Sequence, residues 1–440
     1  MKASFRIVHT LIAFWILFPL GAFAQKEVRT YYDNAKQRPQ ETYFTAADDA
    51  EKFVGHYKRY YENGKVMVDG NFDDGRKSGL FTEYHDNGKV ARKISYVNGL
   101  RHGNVEVFDE DGVPYQRAYY QNDILSDSIQ IYFDNGSVKR ESFFVKGKPE
   151  GLVKEYFPNG KIRKQISYEK GKPNGIARSF YDNGRVETEA NYENGILAGF
   201  YKTYFSTGQL ETVSTMEKGT KNGQFKTYDA DAHLILEGRF IAGKLDGNNT
   251  AYFSDGIVQH RYQYKVGKKT GINYDYYHSG KTSVKVQVAS NGIDETMTEY
   301  TESGVIISEK RKRNGVPHGL SETFDDTGKI TLSKATYENG KLSGVRYTYY
   351  PTGKIQKEET FKVNLLTGPV NSFFENGKTE TTINYKSGRK HGSFISHFDN
   401  GKVHEQGEYL ADKKNGEWKE FASDGQLVKS TTFKMGAIMK

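Results

Sequence analysis

The chain has 440 residues, a formal net charge of +8 and no cysteine, so disulfides, thiol chemistry and lipid attachment through an N-terminal cysteine are excluded. Hydrophobic content is only 36%, and the apolar material is dominated by 32 Tyr and 27 Phe accompanied by 46 Gly. That mixture excludes a thick aliphatic core and points to many short strands joined by tight turns. Spread over so long a chain, the charge speaks for solubility and weak attraction to anionic surfaces, and against a nucleic-acid footprint.

Residues 1–24 open with Lys2 and Arg6, continue as an apolar run and close on Ala22-Phe23-Ala24. This predicts a Sec-type signal peptide cut before Gln25. The run is short for a membrane span and broken at Pro19 and Gly21, so a cleaved leader is expected over a retained anchor. The mature chain is then exported, to the periplasm, the outer surface or the medium, and is not a lipoprotein. Residues 25–54 contain Tyr32-Asp33-Asn34-Ala35-Lys36, a weak copy of the later Tyr61-Glu62-Asn63-Gly64-Lys65. They are expected to form a degenerate half-repeat with an insertion, capping the array that follows.

From Gly55 to the C-terminus one unit of about 24 residues recurs sixteen times. Its marks, in the copy starting at Gly151, are that leading glycine, an aromatic (Tyr156), an Asn-Gly pair (Asn159, Gly160), an aliphatic (Ile162), a second aromatic (Tyr168) and a second glycine (Gly171). The Asn-Gly pair sits between strand-like runs, and its glycine supplies the positive φ of a tight turn, so each unit is predicted to be one β-hairpin. The stretch Gly147-Lys148-Pro149-Glu150-Gly151 reads as a glycine-framed loop into the next hairpin. Residues 55–440 are therefore predicted to form an all-β, elongated and twisted single-layer antiparallel meander of tandem hairpins. Two aromatics stabilise a unit by about 8 to 10 kcal/mol, whereas ordering its backbone costs roughly 24 to 48 kcal/mol. Only stacked neighbours fold.

The leading aromatics, such as Tyr84, Tyr156 and Tyr252, are expected to form the core. A second set follows them by one residue and should face the opposite side: Tyr61, Phe133, Phe157, Tyr181, Phe205 and Phe253, continued by Tyr277, Tyr350, Phe374 and Phe398. These rings either line a partner surface or seal the hairpin ends. In the tenth and eleventh units the second aromatic becomes Val288 and then Lys312, and the leading glycine becomes Glu295. Beside these changes runs the densest basic stretch, Lys310, Arg311, Lys312 and Arg313. Departures from a chain's own rule mark functional or strained places, so residues 288–313 are expected to bend and to offer a basic dock for an acidic partner.

The pattern Gly392-Ser-Phe-Ile-Ser-His-Phe-Asp-Asn-Gly401-Lys402-Val403, preceded by Lys386-Ser387-Gly388-Arg389-Lys390-His391, resembles the MORN-repeat variant, the module also found in YwqK-type antitoxins. The resemblance covers residues 55–440 and implies an aromatic-lined twisted sheet used for protein association, sometimes proposed for lipid contact, with no catalytic residue to carry over.

Catalytic and metal readings fare poorly on the residues. His102, His318 and His391 recur before leading glycines, in expected exposed loops, and lie far apart. Pairs such as Asp73-Asp74 and Asp325-Asp326 fall in turns, where Asp bonds locally. No phosphate-loop or nucleophile-elbow motif occurs. The reading is a non-enzymatic, cofactor-free extracytoplasmic scaffold binding protein. The alternatives are a solenoid for envelope glycan or an anionic membrane surface, and an antitoxin-like partner of a toxin. Trp418 is the one Trp outside the leader, which disfavours stacking on sugars.

Overall fold

The computed structural model describes residues 25–439, and the expected signal peptide lies outside them. Among the described residues there is no helix, and strands of mostly eight or nine residues follow one another throughout. The chain divides into two compact units, Met1–Gly184 with Tyr192–Gly195, and Arg185–Asn191 with Ile196–Lys440. In the first, strands from Gln25–Tyr31 to Lys172–Phe180 pair antiparallel in order. In the second, the same holds from Ile196–Tyr204 to Leu427–Lys434. The all-β meander of tandem hairpins is what the period dictated. Residues 25–46 supply a hairpin of their own, Gln25–Tyr31 against Pro39–Ala46.

Two turn chemistries alternate. At Tyr61-Glu62-Asn63-Gly64-Lys65 the Gly64 amide donates to Tyr61 O at 2.9 Å and the Tyr61 amide to Lys65 O at 2.8 Å. Gly64 has φ +81 while Asn63 stays at negative φ, so this is a type I turn closed by a left-handed glycine. The Asn63 side chain accepts the Lys65 amide at 3.0 Å, fixing the turn from within. At the other end of most hairpins both central residues are left-handed, as at Asn98 (φ 52) and Gly99 (φ 83), whereas the turn at 289–293 has only Gly292 left-handed. The Asn98-Gly99 form is a two-residue type I′ turn, whose twist matches the strands it joins.

The structure corrects the expected loop at 147–151. The turn is Lys146-Gly147, and Lys148–Tyr156 is already strand. The leading glycine is a bulge inside that strand: between the pairs Ile94–Val105 and Tyr96–Arg101, residues His102, Gly103 and Asn104 stand opposite Ser95. His102, His318 and His391 are accordingly half-buried on strands and not in exposed loops. Where Glu295 replaces the glycine, the pairing of Thr282–Val288 with Asp294–Tyr300 runs without a register shift. The anomaly at 288–313 is thus a missing bulge.

A second correction concerns the core. The buried row lies two residues after each leading position and fifteen after it: Phe81, Ile94, Val105, Ala118 and Val153 in the first unit, and Phe225, Val370 and Trp418 in the second, with Ala335 sixteen after Gly319 because that repeat is one residue longer. Cross-strand pairs run along it, Phe81–Ile94, Ile94–Val105, Val105–Ala118. Large rings are matched to missing side chains. A Cβ on Gly70 would meet Phe81 Cδ1 at 2.5 Å, and one on Gly407 would enter the Trp418 indole. Phe394 stacks on Trp418 at 5.2 Å across that gap.

Of the leading aromatics only Tyr132 is fully buried. The others are half-buried on the opposite face, which carries cross-strand ion pairs such as Lys154–Glu141 (2.9 Å) and Lys226–Glu237 (3.6 Å). Tyr252 donates to Glu237 there at 2.7 Å. Burial and the Glu141 carboxylate push the Tyr156 hydroxyl up to about 12.

Candidate functional site

The basic stretch does not lie on one face. It lies on the strand Ile306–Arg313, where alternate side chains take opposite faces. Lys310 reaches Glu299 at 2.9 Å on the face of the buried row, and Arg313 reaches Asp294 at 2.7 Å on the other. The Arg313 hydrogen bond holds the Asp294 carboxyl below its ordinary range. Arg311, Lys312 and Arg313 nevertheless line one cleft of about 450 Å³ with Gln287, Asp294, Glu295, Thr296 and His318. Two of the four predicted contacts are therefore neutralised at home, because their carboxylate partners sit on the preceding strand, Asp294–Tyr300.

The second aromatic set also moves. Tyr61, Phe133, Phe157, Tyr181, Phe205 and Phe253 are half-buried first residues of the type I turns, and they seal the hairpin ends. Where the ring carries a hydroxyl it ties one hairpin to the next: Tyr61 donates to Tyr84 O at 2.7 Å, Tyr277 to Tyr300 O at 2.6 Å and Tyr350 to Phe373 O at 2.8 Å. The same turns link further through Asn63 to Asp86 O, and through Lys65, Lys89, Lys378 and Lys402, whose ammonium groups donate to carbonyls of the following turn. At Asp109, Asp229 and Asp325 the first residue bonds back onto its own turn instead. The polar edge is occupied by its own stitching.

The type I′ edge is built differently. Large aliphatic side chains recur exposed beside its turns: Val97, Leu100, Ile124 and Val145 in the first unit, and Ile241, Val266, Val316, Val363, Leu365 and Leu410 in the second. Lysines are interleaved with them. At several turns the residue after one turn lays its stem along the next, so a Cβ on Gly171 would meet Lys148 Cβ at 3.3 Å and one on Gly267 would meet Lys244 Cβ at 3.6 Å. Sequence reasoning missed this edge because it treated these positions as loop. The signal was present in pairs such as Lys146-Gly147, Asn98-Gly99 and Ala242-Gly243, each flanked by an aliphatic residue.

Among the described residues no group of three or more His, Asp or Glu is placed to hold a metal ion. Trp418 is 3% exposed, its indole N–H donating to Glu408 O at 3.1 Å.

Nine segments of the chain match the MORN repeat variant: residues 53–74, 77–98, 101–122, 149–170, 173–194, 342–362, 366–387, 390–411 and 414–435. No protein of curated function matches. Among solved structures, the chain is similar to the complex TcdB2-TccC3-Cdc42, with 11% identity over 93% of this chain and 26% of the other at a TM-score of 0.14. A Tc holotoxin pore of Photorhabdus luminescens aligns with 11% identity over 92% of this chain and 28% of the other, again at 0.14. The chain thus spans about a quarter of the length of these toxin chains.

Proposed function

We propose that this chain is an exported, non-enzymatic repeat scaffold that binds protein along its type I′ turn edge. The observation that supports it is the gathering of exposed aliphatic side chains in or directly beside many of these turns, Val266, Val316, Val363 and Leu410 among them, while the opposite edge spends its polar groups on itself. Scattered exposed aliphatics are ordinary, but many of them gathered along one edge are the chemistry of a contact surface. Burial of Trp418 between Phe394 and Tyr409 leaves no indole face for a sugar, which weighs against the glycan reading.

Site-specific photo-crosslinkers test it. Placed at Val266 and Leu365 in producing cells they should give adducts of discrete mass, and placed at Glu375 and Asp399 on the other edge they should give none. The absence of adducts at both edge positions would reject the scaffold reading. Export is checked separately by mass spectrometry of the native N-terminus, expected at Gln25.

A further inference from the structure

Within the second unit, five successive type I′ turns, at Asn339-Gly340, Val363-Asn364, Ser387-Gly388, Ala411-Asp412 and Met435-Gly436, carry Lys341, Lys362, Lys386, Arg389, Lys413 and Lys434. All six cations are exposed, and none has a carboxylate within ion-pair distance among the described residues. The carboxylates on this edge are Glu338 and Asp412, and Asp412 is committed, accepting the Lys390 amide at 2.8 Å. The opposite edge of the same hairpins is the reverse case. There Glu375, Asp399 and Asp424 are exposed, while the Lys378 and Lys402 ammonium groups are consumed by Asn400 O at 2.9 Å and Asp424 O at 2.6 Å.

One of these cations, Lys413, is also held in place. A Cβ on Gly436 would meet the Lys413 Cβ, Cγ and Cδ at 3.7, 3.8 and 3.9 Å, so the Lys413 stem lies along the next turn. Leu365 lies over Gly388 in the same manner. An ordered stem lowers the entropy lost when a ligand is bound. Between the cations stand Val363 (51% exposed), Leu365 (50%) and Leu410 (38%).

From this juxtaposition we propose that the type I′ edge of residues 338–438 docks an acidic polypeptide segment in extended form, carrying carboxylates with aliphatic side chains between them. The proposal rests on the scaffold reading and names its partner's chemistry. Successive turns on this edge are two strands apart, roughly 9.6 Å, which an extended chain covers in about three residues. The matching ligand therefore bears Asp or Glu at about every third position. The interleaved aliphatic residues favour a polypeptide over a purely anionic polymer, which would leave Val363 and Leu365 against water.

The test uses the full mature chain and a labelled fifteen-residue peptide with Glu at every third position and Leu and Ser between. Fluorescence anisotropy should show binding that weakens between about 50 and 500 mM salt. Joint Lys341→Glu, Lys362→Glu, Lys386→Glu, Arg389→Glu and Lys413→Glu substitution should weaken it at least about tenfold with unchanged circular dichroism. Lys354→Glu, Lys378→Glu and Lys402→Glu on the other edge should leave it unchanged. No binding by the natural chain, or undiminished binding by the five-fold variant, overturns the proposal. So does equal or tighter capture of heparin or of anionic phospholipid vesicles. If crosslinks at Val266 and Leu365 persist while the peptide fails, the acidic partner falls and the scaffold stands.

Discussion

Two stretches of the second unit run the same central row over the same hairpin ladder and fill it differently. From 370 to 418 the row reads Val370, Ile383, Phe394, Gly407, Trp418, with rings stacked through the space the glycine leaves. From 249 to 310 it reads Asn249, Tyr262, Asn273, Val286, Met297, Lys310. The polar stretch keeps the ladder because its groups are partnered. Asn273, 1% exposed, accepts the Gln263 amide at 2.9 Å and donates to Thr270 O, Tyr262 donates to Asp275 at 2.5 Å, and Lys310 meets Glu299. Backbone pairing and turn chemistry thus carry the fold, while the row decides how strongly each hairpin is held.

The largest break of this contrast should come at Trp418. Trp418→Ala removes a buried ring and should cost about 3 to 5 kcal/mol, read as loss of hydrogen-exchange protection centred on residues 390–434 and fading along the array. Protection lost evenly from Ile196 to Phe433 would contradict the row as a chain of neighbour contacts. Gly407→Ala attacks the same stack from the other side. The added methyl has no room beside the indole, and about 1 to 3 kcal/mol should be lost locally, although alanine is otherwise better in a strand than glycine.

Glu359 tests how a charge survives in the row. It is 3% exposed, with Arg346 at 2.5 Å and Lys357 at 2.7 Å. Burial raises its pKa, but the hydrogen bonds from Lys357 and Arg346 outweigh that and hold it below the ordinary carboxylate value. A depressed folded pKa means stability is present above the unfolded value, about 4.3, and is lost as pH falls through the folded one. Glu359→Gln should therefore cost about 1 to 2 kcal/mol at neutral pH and flatten the acid limb of the unfolding curve below about pH 4.3. An unchanged acid limb would show the carboxylate to be idle. Lys310→Met should have the smallest effect, within about 1 kcal/mol in either direction by denaturant unfolding, because its pair with Glu299 is partly exposed and methionine suits the row. A larger loss would make that ion pair a structural requirement.

These contrasts also locate what was legible in advance. Asn63-Gly64 and its copies announce turns, because few backbones accept positive φ without glycine, and the recurrence of Gly55, Gly79 and Gly103 announces the unit. Whether such a glycine closes a loop or makes a bulge depends on which residues stand opposite it, and Ser95 facing His102, Gly103 and Asn104 cannot be read from spacing. The bulge offsets the strand, so the leading aromatics, taken as core, join the ion-pair face and the row headed by Phe81 is buried instead.

The sequence by itself determined the period, the hairpins and the Asn-Gly turns, since these are local matters of backbone conformation and side-chain bonding within a few residues, whereas the second kind of turn, read as a loop, emerged only with the strand pairing. Only the tertiary structure decided which face is covered and which cations stay free. Asp294 and Glu299 neutralise Arg313 and Lys310 from the adjacent strand, whereas Lys362 and Arg389 meet no carboxylate on theirs. Charge and burial are settled across strands, between residues that pairing brings within a few ångströms and the chain keeps up to twenty-odd positions apart.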